Sequence, residues 1–244
     1  MSIPKVIHFC WFGHGEKPDI VKECMNSWKE RLPDYEIKEW NEDNFDVNRY
    51  VYSKEAYATK KYAFVADVAR FHVLYSYGGI YMDTDVKLLK RPDAFLKHRM
   101  FAGYERSGLV NPGLVIGCEK GHEIARAMLA FYSKHHFLLK NGRPDMTTVC
   151  TIMTKCLEKK GYIMGGKACD EERICIYPTE YFDPLDFETG KMNMTENTHS
   201  VHYYSMSWKS KSDMFMYKVG LGIKRIVGKK LYGKIALLKH KVLG

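Results

Sequence analysis

The stretch from Tyr62 to Leu89, YAFVADVARFHVLYSYGGIYMDTDVKLL, decides the fold of this chain. Its apolar residues recur about one helical turn apart, at Phe64, Val68, Phe71 and Tyr75. This spacing predicts a helix over residues 60–77. Gly78 and Gly79 are expected to end that helix, because glycine tolerates the left-handed backbone of a helix terminus.

A short strand and two aspartates follow the glycine pair. Ile80 and Met82 are expected on one side of the strand, and Tyr81 and Asp83 on the other. Asp83 and Asp85 are separated by one residue at the strand end, where two carboxylates repel unless a cation or proton lies between them. Oxygen ligands favour Mg²⁺ or Mn²⁺, and such an ion commonly fills its open positions with substrate phosphates. The pattern therefore predicts a metal site for a phosphorylated ligand.

The predicted helix also carries an acid and a base three residues apart. Asp67 and Arg70 share one helix face that is otherwise apolar. A carboxylate accepts hydrogen bonds and a guanidinium donates several, so the pair can hold the hydroxyl groups of a ligand. The same spacing is equally typical of a structural ion pair that ties a helix to its neighbours.

Together these residues form the pattern Ala-Asp-x-x-Arg-x-x-x-Leu-x-x-x-Gly-Gly-x-Tyr-x-Asp-x-Asp, which resembles that of the DXD-containing glycosyltransferases. That family includes a yeast Golgi mannosyltransferase, bacterial capsular polysaccharide transferases and the catalytic domains of large clostridial glucosylating toxins. The matching positions are Ala66, Asp67, Arg70, Leu74, Gly78, Gly79, Tyr81, Asp83 and Asp85. The resemblance implies a GT-A-like fold and a nucleotide diphosphate sugar as donor. It also implies that Tyr81 lines the sugar or ribose pocket.

The start of the chain predicts a nucleotide-binding sheet. Residues 3–13 form a near-continuous apolar run, typical of a central parallel strand, and Trp11 lies at its carboxyl end. A helix over 18–32 and a strand over 35–40 follow, which makes a strand–helix–strand unit. Asn41 comes directly after that strand, where it could contact base or ribose or cap a short helix. The family pattern implies that Trp11 stacks on the base of the donor.

The predicted class is therefore α/β, with a GT-A-like, Rossmann-type sheet flanked by helices. Further strands are expected at 100–104 and 114–117, and helices at 122–139 and 147–157. Residues 161–178 lack periodicity and are predicted to be a loop. The segment Tyr181–Pro184 is predicted to be a surface turn.

A second informative segment lies near residue 200. His202 on a short strand could supply a third metal ligand, and two carboxylates with one imidazole suit Mn²⁺ better than Mg²⁺. A single histidine is more often a core or surface residue. Thr198, His202, Ser207 and Trp208 match the closing pattern of the family. The resemblance implies that Ser207 and Trp208 hydrogen-bond the donor diphosphate.

Charge is concentrated at the end of the sequence. The net charge is +9, and residues 214–244 contain eight Lys and Arg but no Asp or Glu. The chain is thus predicted to consist of a nearly neutral catalytic domain, residues 1–213, and a basic tail. A neutral body argues against nucleic acid as a partner. The apolar residues of the tail share one helical face, at Val227, Leu231, Ile235, Leu238 and Val242.

That amphipathic layout predicts a helix lying on an anionic membrane surface, although a solvated tail docked on the body is an alternative. The sequence begins without a signal-peptide layout and has no apolar run of about 20 residues. The seven cysteines lack zinc spacing and are expected to be reduced thiols. We therefore expect a cytoplasmic protein, peripheral on the inner face of the membrane.

The sequence thus predicts a metal-dependent glycosyltransferase that uses a nucleotide sugar, with a UDP-sugar favoured. Asp67, Arg70 and Asp85 are the expected catalytic residues, and the resemblance implies retention of anomeric configuration. The expected acceptor is a glycan or polyprenyl-linked saccharide in surface polysaccharide synthesis. Two other readings are an Asp-x-Asp phosphohydrolase and a non-catalytic basic module that binds membrane or nucleic acid.

Overall fold

The computed structural model of the 244-residue chain describes residues 3–164, 167–168, 174–187 and 189–205. Six helices are present in these ranges: α1 (Asp19–Arg31), α2 (Val51–Ala58), α3 (Tyr62–Tyr77), α4 (Glu123–Tyr132), α5 (Val149–Lys159) and α6 (Thr179–Phe182). The strands of the main sheet are β1 (Val6–Cys10), β2 (Glu36–Trp40), β3 (Gly79–Tyr81), β5 (Met100–Gly103), β6 (Ile116–Cys118) and β9 (Ile174–Tyr177). The short strands are β4 (Val86–Leu88), β7 (Ile163–Met164), β8 (Lys167–Ala168), β10 (Leu185–Asp186), β11 (Lys191–Met192) and β12 (Ser200–His202).

The main sheet has the order β2-β1-β3-β6-β5-β9. Strand β1 pairs in parallel with both β2 and β3, which confirms the central parallel strand expected at the start of the chain. Strand β6 runs antiparallel to its neighbours β3 and β5, and β9 pairs in parallel with β5 at the edge. The α/β class predicted from the sequence is confirmed, with a mixed sheet.

This topology brings the loops of distant segments to one edge of the sheet. The carboxyl ends of β1, β2, β3, β5 and β9 meet there, because these strands run in the same direction. Strand β6 runs the other way, so it brings the loop that precedes it to this edge. Ligands of open α/β sheets bind at such an edge.

Apolar packing covers both faces of the sheet. One cluster joins α3, α4 and α5 to Tyr81 and Ile116, and the other joins Trp28 of α1 to Ile80 and Met82. The alternation expected along the strand after Gly79 is thereby confirmed. Helix α3 is the central helix of the first cluster, since it packs against α2, α4 and β1.

His8 fixes the turn between α3 and β3. The backbone of Gly78 and Gly79 has positive φ angles of 69° and 102°. His8 is 1% exposed, and its Nδ1 accepts a hydrogen bond from Trp40 Nε1 at 3.1 Å. Its Nε2 must then carry the proton that it donates to the carbonyl oxygen of Gly78 at 2.9 Å. Both ring nitrogens are therefore satisfied by a neutral imidazole.

Two expectations for the second half of the chain are wrong. The segment predicted to be a loop contains β9, whose backbone completes the sheet edge beside β5. The predicted surface turn is instead helix α6, with Phe182 and Asp183 only 2% and 1% exposed. Neither feature has a local pattern in the sequence, because both are defined by contacts with β5 and with the segment near residue 204.

Other expectations are confirmed with shifted bounds. Helix α4 ends at Tyr132, seven residues earlier than predicted, and β6 begins at Ile116. Six of the seven cysteines lie in the described ranges, and all six are free thiols. No helix among the described residues is long and apolar enough to cross a membrane. The basic tail, residues 214–244, lies outside the described residues.

The environment of His8 predicts a pH dependence. Burial lowers the pKa of His8 from 6.5 to about 4. The unfolded chain therefore binds a proton before the native protein does, and stability is lost as the pH falls from 6.5 towards 4. The loss from this residue is about 3 kcal/mol. We expect His8→Gln to lack this component in urea titrations, and NMR of the wild-type imidazole to show the Nε2–H form down to about pH 5. An imidazole that titrates near pH 6.5 would contradict this assignment.

Candidate active site

A cleft of about 720 Å³ opens at the carboxyl edge of the sheet. It is lined by the loop after β1, the first half of α3, the turn between β3 and β4, the start of α5 and the segment after β12. The sequence-predicted residues that line it are Trp11, Asp67, Arg70, Tyr81, Asp83, Asp85 and His202. Residues more than 190 positions apart in the chain thus come together in one site.

The guanidinium of Arg70 is the buried charge of this cleft. Arg70 is 2% exposed, and its Nη2 donates to Asp83 Oδ1 at 2.8 Å. Its Nη1 lies 3.3 Å from Asp67 Oδ1, and its plane lies over the ring of Tyr81, 4.5 Å from the ring centroid. Nε and Nη1 have no hydrogen-bond partner among the described residues. Both atoms are themselves buried, and Nη1 keeps its ion pair with Asp67, so the guanidinium forms part of the cleft wall.

Burial affects the pKa of Asp67 more than the nearby charge of Arg70 does. The pKa of Asp67 is raised to about 7, because burial disfavours the carboxylate more strongly than Arg70 favours it. At neutral pH this carboxyl group can therefore accept or donate a hydrogen bond. A group with both capacities, beside a guanidinium, suits the hydroxyls of a sugar.

Asp85 is held by the segment that follows β12. Its Oδ1 accepts a hydrogen bond from His202 Nε2 at 2.9 Å, and its Oδ2 accepts one from the backbone N–H of Ser205 at 2.6 Å. Although burial opposes the charged form, these partners keep the pKa of Asp85 well below its ordinary value. The same interaction raises the pKa of His202 to about 8. Asp85 is therefore a carboxylate and His202 is largely protonated at neutral pH.

Asp83 is fixed by a glycine in the turn before β6. The backbone N–H of Asp83 donates to the carbonyl of Gly113 at 2.9 Å. A Cβ on Gly113 would lie 2.2 Å from Asp83 Oδ2, so only glycine fits there. Asn111 holds this turn, because its Oδ1 accepts from Gly113 N at 2.7 Å while its Nδ2 donates to Glu105. The sequence Asn-Pro-Gly is compatible with an amide near the donor sugar and equally with an ordinary turn, and the structure places Asn111 in the cleft wall.

The donor chemistry of the turn fits a hard divalent cation. Asp83 and Asp85 bring carboxylate oxygens to one short turn in the cleft, and the side chain of Asp83 remains 32% exposed. Within the described ranges no three His, Cys, Asp or Glu side chains form a ready metal cluster. His202 contacts Asp85 directly, and its buried Nδ1 has no partner among the described residues. A metal bond from His202 stays a prediction.

The remaining predicted site residues differ in position. Trp11 is half-buried at the end of β1 and donates from Nε1 to the carbonyl of Gly15 at 2.7 Å, which fixes its indole in the cleft wall. Asn41 does not line the cleft; its Oδ1 accepts from Asp43 N in a turn, and no helix follows it. Ser207 and Trp208 lie outside the described residues.

Asp183 and Tyr204, which form a buried contact beside the cleft, were not predicted from the sequence. Asp183 is 1% exposed and accepts hydrogen bonds from Tyr204 Oη at 2.8 Å and from the backbone N–H of Arg106 at 3.1 Å. Burial raises the pKa of Asp183. An Asp-Pro pair after aromatic residues resembles ordinary turn chemistry, so only the tertiary structure reveals this contact.

Residues 18–102 match a family model described as the glycosyltransferase sugar-binding region containing the DXD motif. The matched region includes Asp67, Arg70, Asp83 and Asp85, and it ends before the segment that carries His202. This part of the chain is therefore similar to the sugar-binding region of the DXD-containing glycosyltransferases, in agreement with the resemblance drawn from the motif.

Curated relatives come from the fission yeast Schizosaccharomyces pombe. Inositol phosphoceramide mannosyltransferase 3 is 32% identical over 145 residues, which cover 56% of this chain and 40% of that protein. Inositol phosphoceramide mannosyltransferase 2 is 35% identical over 98 residues, which cover 38% of this chain and 28% of that protein. The chain thus spans well under half the length of the curated relatives it matches.

Solved structures with a similar chain trace are also glycosyltransferases. The PaToxG glycosyltransferase has a TM-score of 0.48 at 20% identity, over 65% of this chain and 70% of that one. A glycosyltransferase involved in glycosylation of the major capsid of PBCV-1 has a TM-score of 0.47 at 11% identity, over 88% and 98% of the two chains.

The close approach of Gly113 to Asp83 predicts that adding one methyl group at position 113 destabilises the protein. We expect Gly113→Ala to lower the free energy of unfolding by about 1–3 kcal/mol, because Asp83 is held by Arg70 and cannot move freely. Gly15→Ala is the matched control, since a Cβ at Gly15, also in the cleft wall, would meet nothing within 4 Å. Urea titrations of both variants measure the difference. Equal stabilities would show that the turn accommodates the methyl group.

Proposed function

We propose that this protein is a metal-dependent glycosyltransferase that moves a sugar from a nucleotide diphosphate sugar to a hydroxyl of a glycan or lipid-linked saccharide. The observation that supports this most directly is the guanidinium of Arg70. It is buried in the wall of the cleft, and it lies between Asp67 and the first aspartate of the Asp-x-Asp turn. Such a group suits the recognition of a polyhydroxylated ligand next to a site for phosphate.

Different residues of the cleft are proposed to bind different parts of the donor. Trp11, at the end of β1, presents the flat face of its indole to a nucleotide base. Arg70 and Asp67 hold the sugar hydroxyls, and Asp67 either accepts or donates a hydrogen bond. Holding the sugar at several points fixes its anomeric carbon relative to the acceptor, which is a large part of the catalytic effect.

Departure of the nucleoside diphosphate needs positive charge that is already in position. A Mn²⁺ or Mg²⁺ ion held by Asp83 and Asp85 would supply a Lewis acid for the diphosphate. The imidazole of His202 and the backbone N–H of Ser205 each hold one oxygen of the Asp85 carboxylate at the turn. Ser207 and Trp208 are proposed to add hydrogen bonds to the phosphates, as the resemblance implies.

Retention of configuration is also part of the proposal. The described carboxylates that line the cleft are Glu16, Asp67, Asp83 and Asp85. The last three are engaged by Arg70 or His202, and Glu16 pairs with Lys22 at the exposed rim. None of the four is placed as an unengaged base for the acceptor, and an inverting transferase needs one. This arrangement supports a mechanism in which the departing phosphate takes the acceptor's proton.

The acceptor is proposed to be linked to a lipid, with a role in surface polysaccharide synthesis. The relatives are named inositol phosphoceramide mannosyltransferases, which supports a lipid-linked acceptor and adds mannose to the candidate sugars. A UDP-sugar remains the favoured donor from the sequence resemblance, and the donor panel therefore has to contain GDP-mannose as well.

The assignment of the two aspartates is tested by isosteric substitution. We expect Asp83→Asn and Asp85→Asn each to lower transfer by at least about 100-fold, because the cation and its electrostatic effect are lost. Turnover of a panel of UDP- and GDP-sugars is measured with Mn²⁺, with Mg²⁺ and after EDTA. Asp19→Asn is the control, since the side chain of Asp19 is 97% exposed and does not line the cleft. Full turnover in EDTA, or in either cleft variant, would contradict the proposal.

We further propose that residues 214–244 attach the protein to the inner face of the cytoplasmic membrane. Each basic residue near an anionic surface contributes about 1 kcal/mol, so the eight in this segment suffice for reversible binding. A chain that ends at residue 213 should stay in the supernatant when vesicles containing phosphatidylserine are sedimented, whereas the full chain should sediment in low salt. Co-sedimentation of the shortened chain with these vesicles would refute the attachment.

A further inference from the structure

The cleft has an aromatic wall that the proposed donor roles leave unused. Phe187 and Tyr204 line it, with ring centroids 5.4 Å apart. Both side chains are half-buried. They come from different segments, since Phe187 follows β10 and Tyr204 follows β12. Neither belongs to the sequence motif, and neither is in the region matched by the family model.

Tyr204 is held in this wall by a buried carboxylate. Its backbone has a φ angle of +50°, a left-handed conformation that is uncommon for a residue with a bulky side chain. Its hydroxyl donates to Asp183 Oδ1 at 2.8 Å, and Asp183 is also fixed by the backbone N–H of Arg106. Backbone strain of this kind persists where surrounding contacts determine it, and it concentrates at ligand sites.

The ring of Tyr204 lies next to the Asp-x-Asp turn. Its centroid is 4.1 Å from that of His202, whose Nε2 is bonded to Asp85. The next residue, Ser205, donates its backbone N–H to the other oxygen of Asp85. The aromatic wall therefore begins within one residue of the groups that orient Asp85.

The sheet order separates this wall from the proposed nucleotide side. Trp11 follows β1, which lies on one side of β3 and its Asp-x-Asp turn. Phe187 follows β9 and α6, and β9 lies at the far edge beyond β6 and β5. A donor with its base near Trp11 and its diphosphate at the turn would not reach the side of the cleft where Phe187 lies.

We infer that Phe187 and Tyr204 form the subsite for the sugar ring of the acceptor. This inference rests on the proposed transferase function and names the acceptor part of the same cleft. An aromatic ring offers a flat apolar face. The hydroxyl of Tyr204 is already hydrogen-bonded to Asp183 at the edge of its ring. The C–H face of a hexose packs on such a surface while its hydroxyls point to the polar groups of the cleft. Asn111, on the turn that fixes Asp83, lies in the same cleft wall.

The test separates acceptor binding from donor use. Octyl glycosides of glucose, galactose and mannose serve as acceptor probes, and the variants are Phe187→Ala, Phe187→Trp and Met194→Ala. Met194 is 55% exposed and does not line the cleft, so its variant is the matched control. We expect Phe187→Ala to raise the acceptor KM about tenfold and the donor KM less than twofold. Phe187→Trp, which keeps an aromatic face, should stay within about threefold of wild type. Thermal melts establish that each variant is folded.

Binding of the same glycosides is followed in parallel by saturation-transfer NMR, which needs no turnover. Saturation transfer to the hexose protons in wild type and Met194→Ala, with its loss in Phe187→Ala, supports the subsite even where no transfer is seen. In that case the failure belongs to the proposed reaction. Equal binding by Phe187→Ala and Met194→Ala, or no binding by wild type, overturns the subsite.

Discussion

The structure depends on the burial of one guanidinium between two carboxylates. Arg70 sits on the central helix, with Asp67 one turn before it and Asp83 on the turn after β3. A buried charge costs several kcal/mol unless it is paired, and removing one partner of such a pair costs about 3–5 kcal/mol. The helix and the Asp-x-Asp turn therefore have to dock together. The energetic requirement for folding and the arrangement of the cleft are set by the same contacts.

Local sequence patterns predicted the part of the site that this ion pair organises. The spacing of Phe64, Val68 and Phe71 identified helix α3, and the glycine pair located the start of β3. Gly78 and Gly79 have positive φ angles in the turn between α3 and β3. A Cβ at Gly78 would lie 2.7 Å from the backbone nitrogen of Lys120, and a Cβ at Gly79 would lie 2.8 Å from the carbonyl oxygen of Val6. Such features are visible in a sequence, since they depend on residues that are neighbours in the chain.

The other half of the cleft could not be predicted in this way. Strand β9 is four residues long and is defined only by its pairing with β5. The sequence predicts a surface turn at Asp183. In the structure Asp183 is buried and accepts a hydrogen bond from Tyr204, 21 positions later in the chain. The sequence around Asn111 is typical of a turn. Its link to the site is tertiary, because Asn111 holds Gly113 and Gly113 lies against Asp83. The position of His202 on a short strand allows a metal ligand but is more typical of an ordinary core or surface histidine, and the family pattern was needed to favour the site.

The pairing of β4 with β12 has a consequence for the order in which a ribosome makes this protein. Both partners of Asp85 come late in the chain, His202 117 positions and Ser205 120 positions after it. During translation the sheet strands from β1 to β6 and helix α3 are available early, while Asp85 has no counter-charge until residues 200–205 have left the exit tunnel. Contacts of such long sequence separation form late and slowly. The nascent polypeptide therefore forms the strands and helix α3 around the cleft first, and the Asp-x-Asp turn gains its partners His202 and Ser205 only once residues 200–205 have emerged.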